Sequence, residues 1–307
     1  MNIDANIVEI YYFVDDFVKE YSKIIKNACI SSNDGKKHRN KPSKLSMAEV
    51  ITILITFHLG GFRNLKHYYE FYVKKHLSKY FPKTVSYNRF VELQQSVLFV
   101  MTLFLKIAKL GKDTGIAFVD STPLRICKNK RIPNSIRNTK TFTNIAARGK
   151  STMGYFYGFK LHLIINEMGE ILNFVITPGN VDDRTPLKNL KFVDCLKGKL
   201  FADKGYVSQE LLELLFLNDI QLVTGMRRNM KNTVMNLTDK ILLRKRSVIE
   251  TVNGDLKTIC QVEHSRHRSF TNFLTNVISA LIAYSFLPKK PHINYDIDTE
   301  CKQLVLF

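Results

Sequence analysis

Three acidic residues, far apart in the chain, have surroundings suited to binding a metal ion: Asp120, Asp203 and Glu250. Asp120 follows the short apolar run Ile116-Ala-Phe-Val119, and Asp203 follows Leu200-Phe-Ala202. Short apolar runs of this kind read as buried strands. If the two strands pair side by side, their ends lie about 5 Å apart. Two carboxylates so placed share a divalent cation or repel each other. Ligands also collect at strand ends in open sheets. An aspartate after a strand is equally a common turn former, so the pair alone does not define a site.

Glu250 comes from a different kind of segment. Thr238 to Gln261 has the periodicity of one long helix. At about 100° per residue, Val248, Ile249, Val252, Leu256 and Ile259 share an apolar arc. Arg246, Glu250, Asn253 and Lys257 fall on the far side, presenting a base, an acid, an amide and a base in line. The spacing of Arg246 and Glu250 also suits an ordinary pair on a solvated helix. Other acids are set aside as ligands: Asp182 and Asp183 lie in a Pro/Gly turn, and Asp255 and Glu263 lie off the Glu250 face. His162 alternates within a strand and reads as a packed or hydrogen-bonded residue; His58 reads as a core-edge residue.

The elements that must position these acids fall into two regions. Residues 1–110 read as helical. Ile7 to Ile25 has helical spacing, and a polar stretch from Ser31 to Ser43 breaks it. Ser46 with Glu49 is a capping-box signature before the apolar run Val50 to Leu59, which Gly60-Gly61 ends. Leu65–Phe81 and Tyr87–Leu110 are further amphipathic segments. After Gly111 the pattern turns to strands. Gly158–Asn166 and Glu170–Thr177 flank a hairpin turn at Asn166-Glu-Met-Gly169. A helix at Gln209–Leu217, a strand at Gln221–Thr224 and a helix at Phe270–Phe286 follow. That order predicts an α/β mixed sheet flanked by helices. The tail from Pro288 onward is polar and reads as loose.

Bulk properties narrow the partners. Hydrophobic residues make up 45% of the 307, as in a folded protein. A formal net charge of +19 points to a polyanion, most commonly nucleic acid. From Ser121 to Asn166 there are nine basic residues and no acid, including Arg125, Arg148, Lys150 and Lys160. A second basic run goes from Arg227 to Arg246, opposed only by Asp239. The Arg131–Lys150 part reads as a solvated loop that orders on DNA. Five scattered cysteines show no paired spacing, which argues against a disulfide framework or a zinc site and suits a reducing cytoplasm. The acidic start, Met1-Asn-Ile-Asp4, is unlike a signal peptide, and Phe273–Leu287 is too short and polar to span a bilayer comfortably. No membrane partner is expected.

Local motifs sharpen this reading. Asp120-Ser-Thr-Pro, Asp203-Lys-Gly-Tyr and Arg246-x3-Glu250-x6-Lys257 resemble the DDE transposases of bacterial insertion sequences. The resemblance is nearest to the insertion-sequence 982 family, within the wider group resembling insertion sequence 4. Tyr155-Phe-Tyr-Gly-Phe-Lys-Leu-His162 is similar to that family's second strand, and Thr177-Pro-Gly-Asn-Val181 to the end of its third. The resemblance covers Asp120 to Leu287. One departure is Leu243, where the helical signature usually has tyrosine.

The resemblance implies a ribonuclease-H-like catalytic domain at 111–287, a helical region at 1–110 for DNA binding or dimerisation, and a tail at 288–307. It implies that Asp120, Asp203 and Glu250 hold two magnesium ions, with manganese as a substitute; carboxylate oxygens suit either. Arg246 and Lys257 would contact phosphate at the transposon end, and Arg125, Lys160 and Lys204 are further expected DNA contacts. The implied partners are terminal inverted repeats, target DNA and a second copy of the chain in a synaptic complex. The implied setting is the bacterial cytoplasm, at the nucleoid when DNA-bound. The implied activity is cleavage at the element's ends followed by joining of 3′-hydroxyls to target DNA. The same fold also carries repair or junction endonucleases and non-catalytic DNA-binding descendants.

Overall fold

The computed structural model describes residues 3–28, 43–127, 142–151, 154–225, 235–263, 267 and 269–294. The Lys36-Lys-His-Arg39 run, the basic residues from Lys128 to Lys140, and Arg227, Arg228 and Lys231 lie outside the described residues.

The chain opens with helices. α1 spans Ile3–Ala28. α2, Met47–Leu59, begins with the expected capping box: the Glu49 amide donates to Ser46 Oγ at 3.1 Å, and the Ser46 amide donates to Glu49 Oε2 at 2.7 Å. Every residue from Val50 to His58 is buried. A helix apolar on all sides must lie inside the protein. Its two threonines bond back to the carbonyls one turn earlier, at 2.8 Å each. α3, Leu65–His67, passes directly into a π-helical turn, Tyr68–Val73, so the Leu65–Phe81 segment is not one regular helix. Tyr87–Leu110 is also divided: α4, Tyr87–Ser96, and α5, Leu98–Phe104, meet at Val97 with a bend of 54°. No single described helix is long and apolar enough to cross a membrane.

The sheet follows. β1 spans Ile116–Cys127, β2 Ala147–Ser151, β3 Gly154–Asn166 and β4 Ile171–Pro178. The short helix α6, Leu190–Val193, precedes β5, Gly198–Ala202. α7, Gln209–Phe216, leads to β6, Ile220–Thr224. β2 occupies ground expected to be a loop, of which residues 131–141 lie outside the described residues. β3 and β4 form the expected hairpin, and Gly169 takes the positive φ (72°) its turn requires.

Pairing sets the topology. β3 lies antiparallel to both β1 and β4, while β1, β5 and β6 run parallel. Five strands therefore stand in the order β4-β3-β1-β5-β6, with β2 sharing the outer edge of β3 end to end with β4. Three antiparallel strands joined to two parallel ones, with helices on both faces, is the ribonuclease-H-like arrangement. The α/β mixed sheet expected from the sequence is present.

Strand alternation divides the interior. Ala117, Val119, Leu200 and Ala202 face α6 and α7. Phe118, Leu124, Phe201 and Val223 face the other core, built largely from helices. That second layer contains α8, Leu237–Lys245, α9, Ser247–Thr258, and α10, Phe270–Ser285. The expected single helix from Thr238 to Gln261 is thus two, broken at Arg246. Leu242 on α8 and Val248 on α9 are both buried, so the break lets each segment turn an apolar side inward. Because α9 ends at Thr258, Ile259 leaves the apolar arc and is 42% exposed.

α10 is the central column. Its side chains from Thr275 to Tyr284 are buried, and α2, α4 and α5 pack around it. Two of its polar residues bond within the core: Asn276 Nδ2 donates to the Val262 carbonyl at 3.2 Å, and Ser279 Oγ to the Asn276 carbonyl at 3.0 Å. The N-terminal helices thus share one core with the sheet's helical face. The first part of the tail is docked rather than loose. Ile293 is 7% exposed, and its amide donates to the Glu167 carbonyl at 2.8 Å.

Candidate active site

Register and alternation bring the first two acids together. β1 and β5 pair from Ile116↔Lys199 to Phe118↔Phe201. Two residues further on, Asp120 and Asp203 occupy corresponding positions. Phe118 and Phe201 stack in the helical layer, with ring centroids 5.4 Å apart. Along a strand, side chains two apart share a face, so Asp120 points toward the layer that holds α9. Asp203 begins where β5 ends, as expected. Asp120 does not end its strand. β1 continues to Cys127 because β3 keeps supplying partners, with Ser121 opposite His162 and Pro123 opposite Lys160. Beyond Phe118 the β5 side of β1 has no strand partner among the described residues, and a strand with one free edge tolerates proline.

α9 lays its polar side over these strands. Val248, Ile249, Val252 and Leu256 are buried and fix its orientation. Asn253 Nδ2 then donates to Asp120 Oδ2 at 3.1 Å. Arg246, at the break between α8 and α9, donates to Glu250 Oε1 at 2.8 Å and stands 3.9 Å from Asp203 Oδ1. Glu250 and Asp203 therefore flank one guanidinium, whose charge also reaches Asp120. Burial, with the charges of Glu250 and Asp183, pushes the Asp120 carboxyl up to about 6 against the pull of the Ser121 amide and Arg246.

The expected DNA contacts divide by position. Arg125 and Lys204 are exposed. Lys257 is half-buried, with Nζ 3.6 Å from Glu263 Oε1, and burial lowers its ammonium pKa. Glu263 also accepts from the Arg125 amide at 3.3 Å, so Lys257 and Arg125 share an anchor. Lys160 donates to Asp183 Oδ1 and to the Val181 carbonyl, each at 2.9 Å. His162 is 1% exposed and its Nε2 lies 2.8 Å from Thr177 Oγ1, as a packed, hydrogen-bonded histidine should. His58 lies deeper than the core edge, at 1% exposure, and its Nδ1 donates to the Cys260 carbonyl at 2.6 Å.

Three residues were missed as contributors. Asp183, set aside as a turn residue, also accepts from Ser121 Oγ at 2.8 Å, and its charge reaches Asp120. Ser121 was visible only as part of the Asp120 motif. Tyr206 is buried beside them; burial, then the charges of Asp120 and Asp183, push its phenol pKa well up. The Asp203-Lys-Gly-Tyr motif was the available signal for Tyr206. Nothing local in the sequence indicated that the turn carrying Asp183 folds back onto β1.

The donor set suits a hard divalent cation. It consists of carboxylates, and the carbonyl oxygen of the Asn253 side chain beside Asp120 is buried with no hydrogen-bond partner. Among the described residues, however, no three acidic, histidine or cysteine side chains converge closely enough to form a ready-made ligand cluster. The Arg246 guanidinium supplies positive charge between Asp203 and Glu250.

A family model described as "Transposase DDE domain" matches residues 110–270, just over half of the chain. The chain belongs to the DDE transposase family. The matched span of this DDE transposase runs from before β1 to the start of α10 and includes all three acids. Such domains generally use divalent metal ions. No curated protein matches the chain. Among solved structures, it is similar to the piggyBac transposase synaptic complex with hairpin DNA, at 11% identity and a TM-score of 0.49. That similarity covers 81% of this chain and 68% of the other.

Proposed function

We propose that this DDE transposase, of the insertion-sequence 982 kind, cuts DNA at the ends of its own element and joins the 3′-hydroxyls to target DNA. The observation that carries the proposal is the convergence of Asp120, Asp203 and Glu250 on Arg246 from two parallel strands and one helix. Asp120, Asp203 and Glu250 would hold two magnesium ions, or manganese in their place. Bound there, such ions activate the attacking oxygen and stabilise the leaving one.

The chain's own residues prepare that chemistry. The Asn253 amide fixes Asp120 Oδ2 and so orients the carboxylate. Arg246 keeps Glu250 turned toward Asp203 in the absence of metal. Lys257 and Arg125, anchored by Glu263, offer positive charge to a phosphate backbone. DNA is the partner, as terminal inverted repeats and as target, and synapsis of two ends calls for a homodimer in the cytoplasm. The helices of residues 1–110 take part in DNA binding or dimerisation.

The test is incubation with magnesium and DNA carrying inverted repeats from the flanks of its own gene. End-specific nicking with joined product is expected. Asp120→Asn and Glu250→Gln should abolish cleavage and leave DNA binding largely intact. Structure-specific cutting without joining would point to a repair or junction nuclease. Binding without any cleavage would point to an inactive descendant.

A further inference from the structure

A second concave site adjoins the acids. A cavity of about 670 Å³ opens where β2 and β4 meet end to end on β3. Gly149 and Gly179 are part of its lining. A Cβ on Gly149 would collide with the Gly179 carbonyl and the Phe156 ring, and one on Gly179 would come within 2.8 Å of the Ala147 carbonyl. The β2 and β4 chains thus approach each other closely, on the face of β2 opposite Arg148 and Lys150.

The walls are cationic and aromatic. Tyr155 is 64% exposed, a large exposure for a tyrosine within a strand. Its cross-strand partner is Lys150, whose Nζ lies 5.9 Å from the ring centroid. Arg148 stands two residues before Lys150, on the same face of β2, and is exposed. The one acid among the described lining residues, Asp182, is already paired: Arg184 Nε and Nη2 each donate to it at 2.8 Å. Lys160 joins the cavity to the active site, since Asp183 accepts from it and from Ser121, the residue after Asp120.

An exposed ring flanked by cations is the chemistry that holds a base and its neighbouring phosphates. A paired base inside a duplex has no free face to offer such a ring. We propose that this cavity takes one unpaired nucleotide of the DNA strand entering the active site, its base stacked on Tyr155 and its phosphates drawn by Arg148 and Lys150. The proposal rests on the transposase reading and deepens it.

The test uses the full chain without divalent metal, so cleavage plays no part. Affinity is measured for a blunt duplex and for the same duplex with one unpaired 2-aminopurine at its end, in 5′ and 3′ versions. At least one unpaired version should bind about tenfold tighter than the blunt duplex, with quenched 2-aminopurine fluorescence. Tyr155→Ala should lose both the preference and the quenching while keeping its affinity for the blunt duplex. Tyr155→Phe should retain all three, because stacking needs the ring and not the hydroxyl. Equal binding of blunt and unpaired DNA would overturn the proposal, as would a preference that survives in Tyr155→Ala. So would competition by free deoxyadenosine monophosphate as strong as by the strand, which would mark a free-nucleotide site. An unpaired RNA end bound as tightly would overturn the assignment to DNA. Failure to bind any duplex would instead overturn the transposase reading itself. Since Tyr155 is mostly exposed, the alanine variant should melt as the wild type does.

Discussion

At Asp120, stability and function pull in opposite directions. Burial and two neighbouring carboxylates raise its carboxyl to about 6, against an ordinary value of 3.8. An acid raised in the fold keeps a proton there that the unfolded chain has already released. Asp120 therefore contributes stability that is present at low pH and is lost as pH rises from about 4 through 6. Without metal, Asp120→Asn should be more stable than wild type at pH 8 by about 1–2 kcal/mol, with the gap closing near pH 4. Thermal melts in a chelator would check this, and equal gaps at both pH values would refute it. Arg246 poses a related conflict. It is bound to Glu250, yet a metal ion or a phosphate would compete for one partner or the other. Arg246→Gln should bind manganese more tightly than wild type. It should also show a DNA salt dependence shallower by about one phosphate contact. Calorimetry and salt titrations would read both, and unchanged metal affinity would show that the guanidinium does not compete.

The elements matter through the faces they turn. α9 carries Glu250 and Asn253 outward from an anchor of Val248, Ile249, Val252 and Leu256. Leu256 is fully buried, while Ile259, three residues on, is 42% exposed. Leu256→Ala should cost about 2–5 kcal/mol and reduce cleavage by unseating α9 from β1. Ile259→Ala should change stability by less than about 0.5 kcal/mol. Urea unfolding of the two variants distinguishes them, although periodicity alone gives the two residues the same status. The long strand β1 belongs to this scale too. An apolar run followed by aspartate looked like a strand with an end, but β3 offers partners as far as Cys127.

In the whole molecule, the N-terminal helices are tied to the catalytic layer through α10 and through His58. Burial holds His58 down to about 4, and the buried His162 likewise. A histidine lowered in the fold stays neutral where the unfolded chain takes up a proton. Stability is then lost as pH falls from about 6.5 toward 4 and regained as it rises. Each such histidine steepens the slope by up to about one proton over that window. His58→Gln should flatten it, measured as urea unfolding free energy at pH 4, 5 and 6.5. An unchanged slope would mean that His58 takes up its proton equally in the fold and in the unfolded chain.

Much of this protein was legible in one dimension. The Ser46 capping box, the hairpin at Gly169, the strands before Asp120 and Asp203, and the apolar side of α9 are local patterns. Each depends on residues within a turn or two of one another. The three acids were recognisable because local motifs surround each of them. Tertiary structure decided what depended on distant partners. The break at Arg246, the length of β1 and the docking of Ile293 each follow from what packs alongside. Asp183 and Tyr155 gain their standing only because separate strands and turns meet at one end of the sheet. Asp120 is the clearest case. Its position after Val119 is written in the sequence, but its half-buried state and its bond to Asn253 exist only once α9 crosses β1. Burial and charge are properties of neighbours in space, and a sequence names only neighbours along the chain.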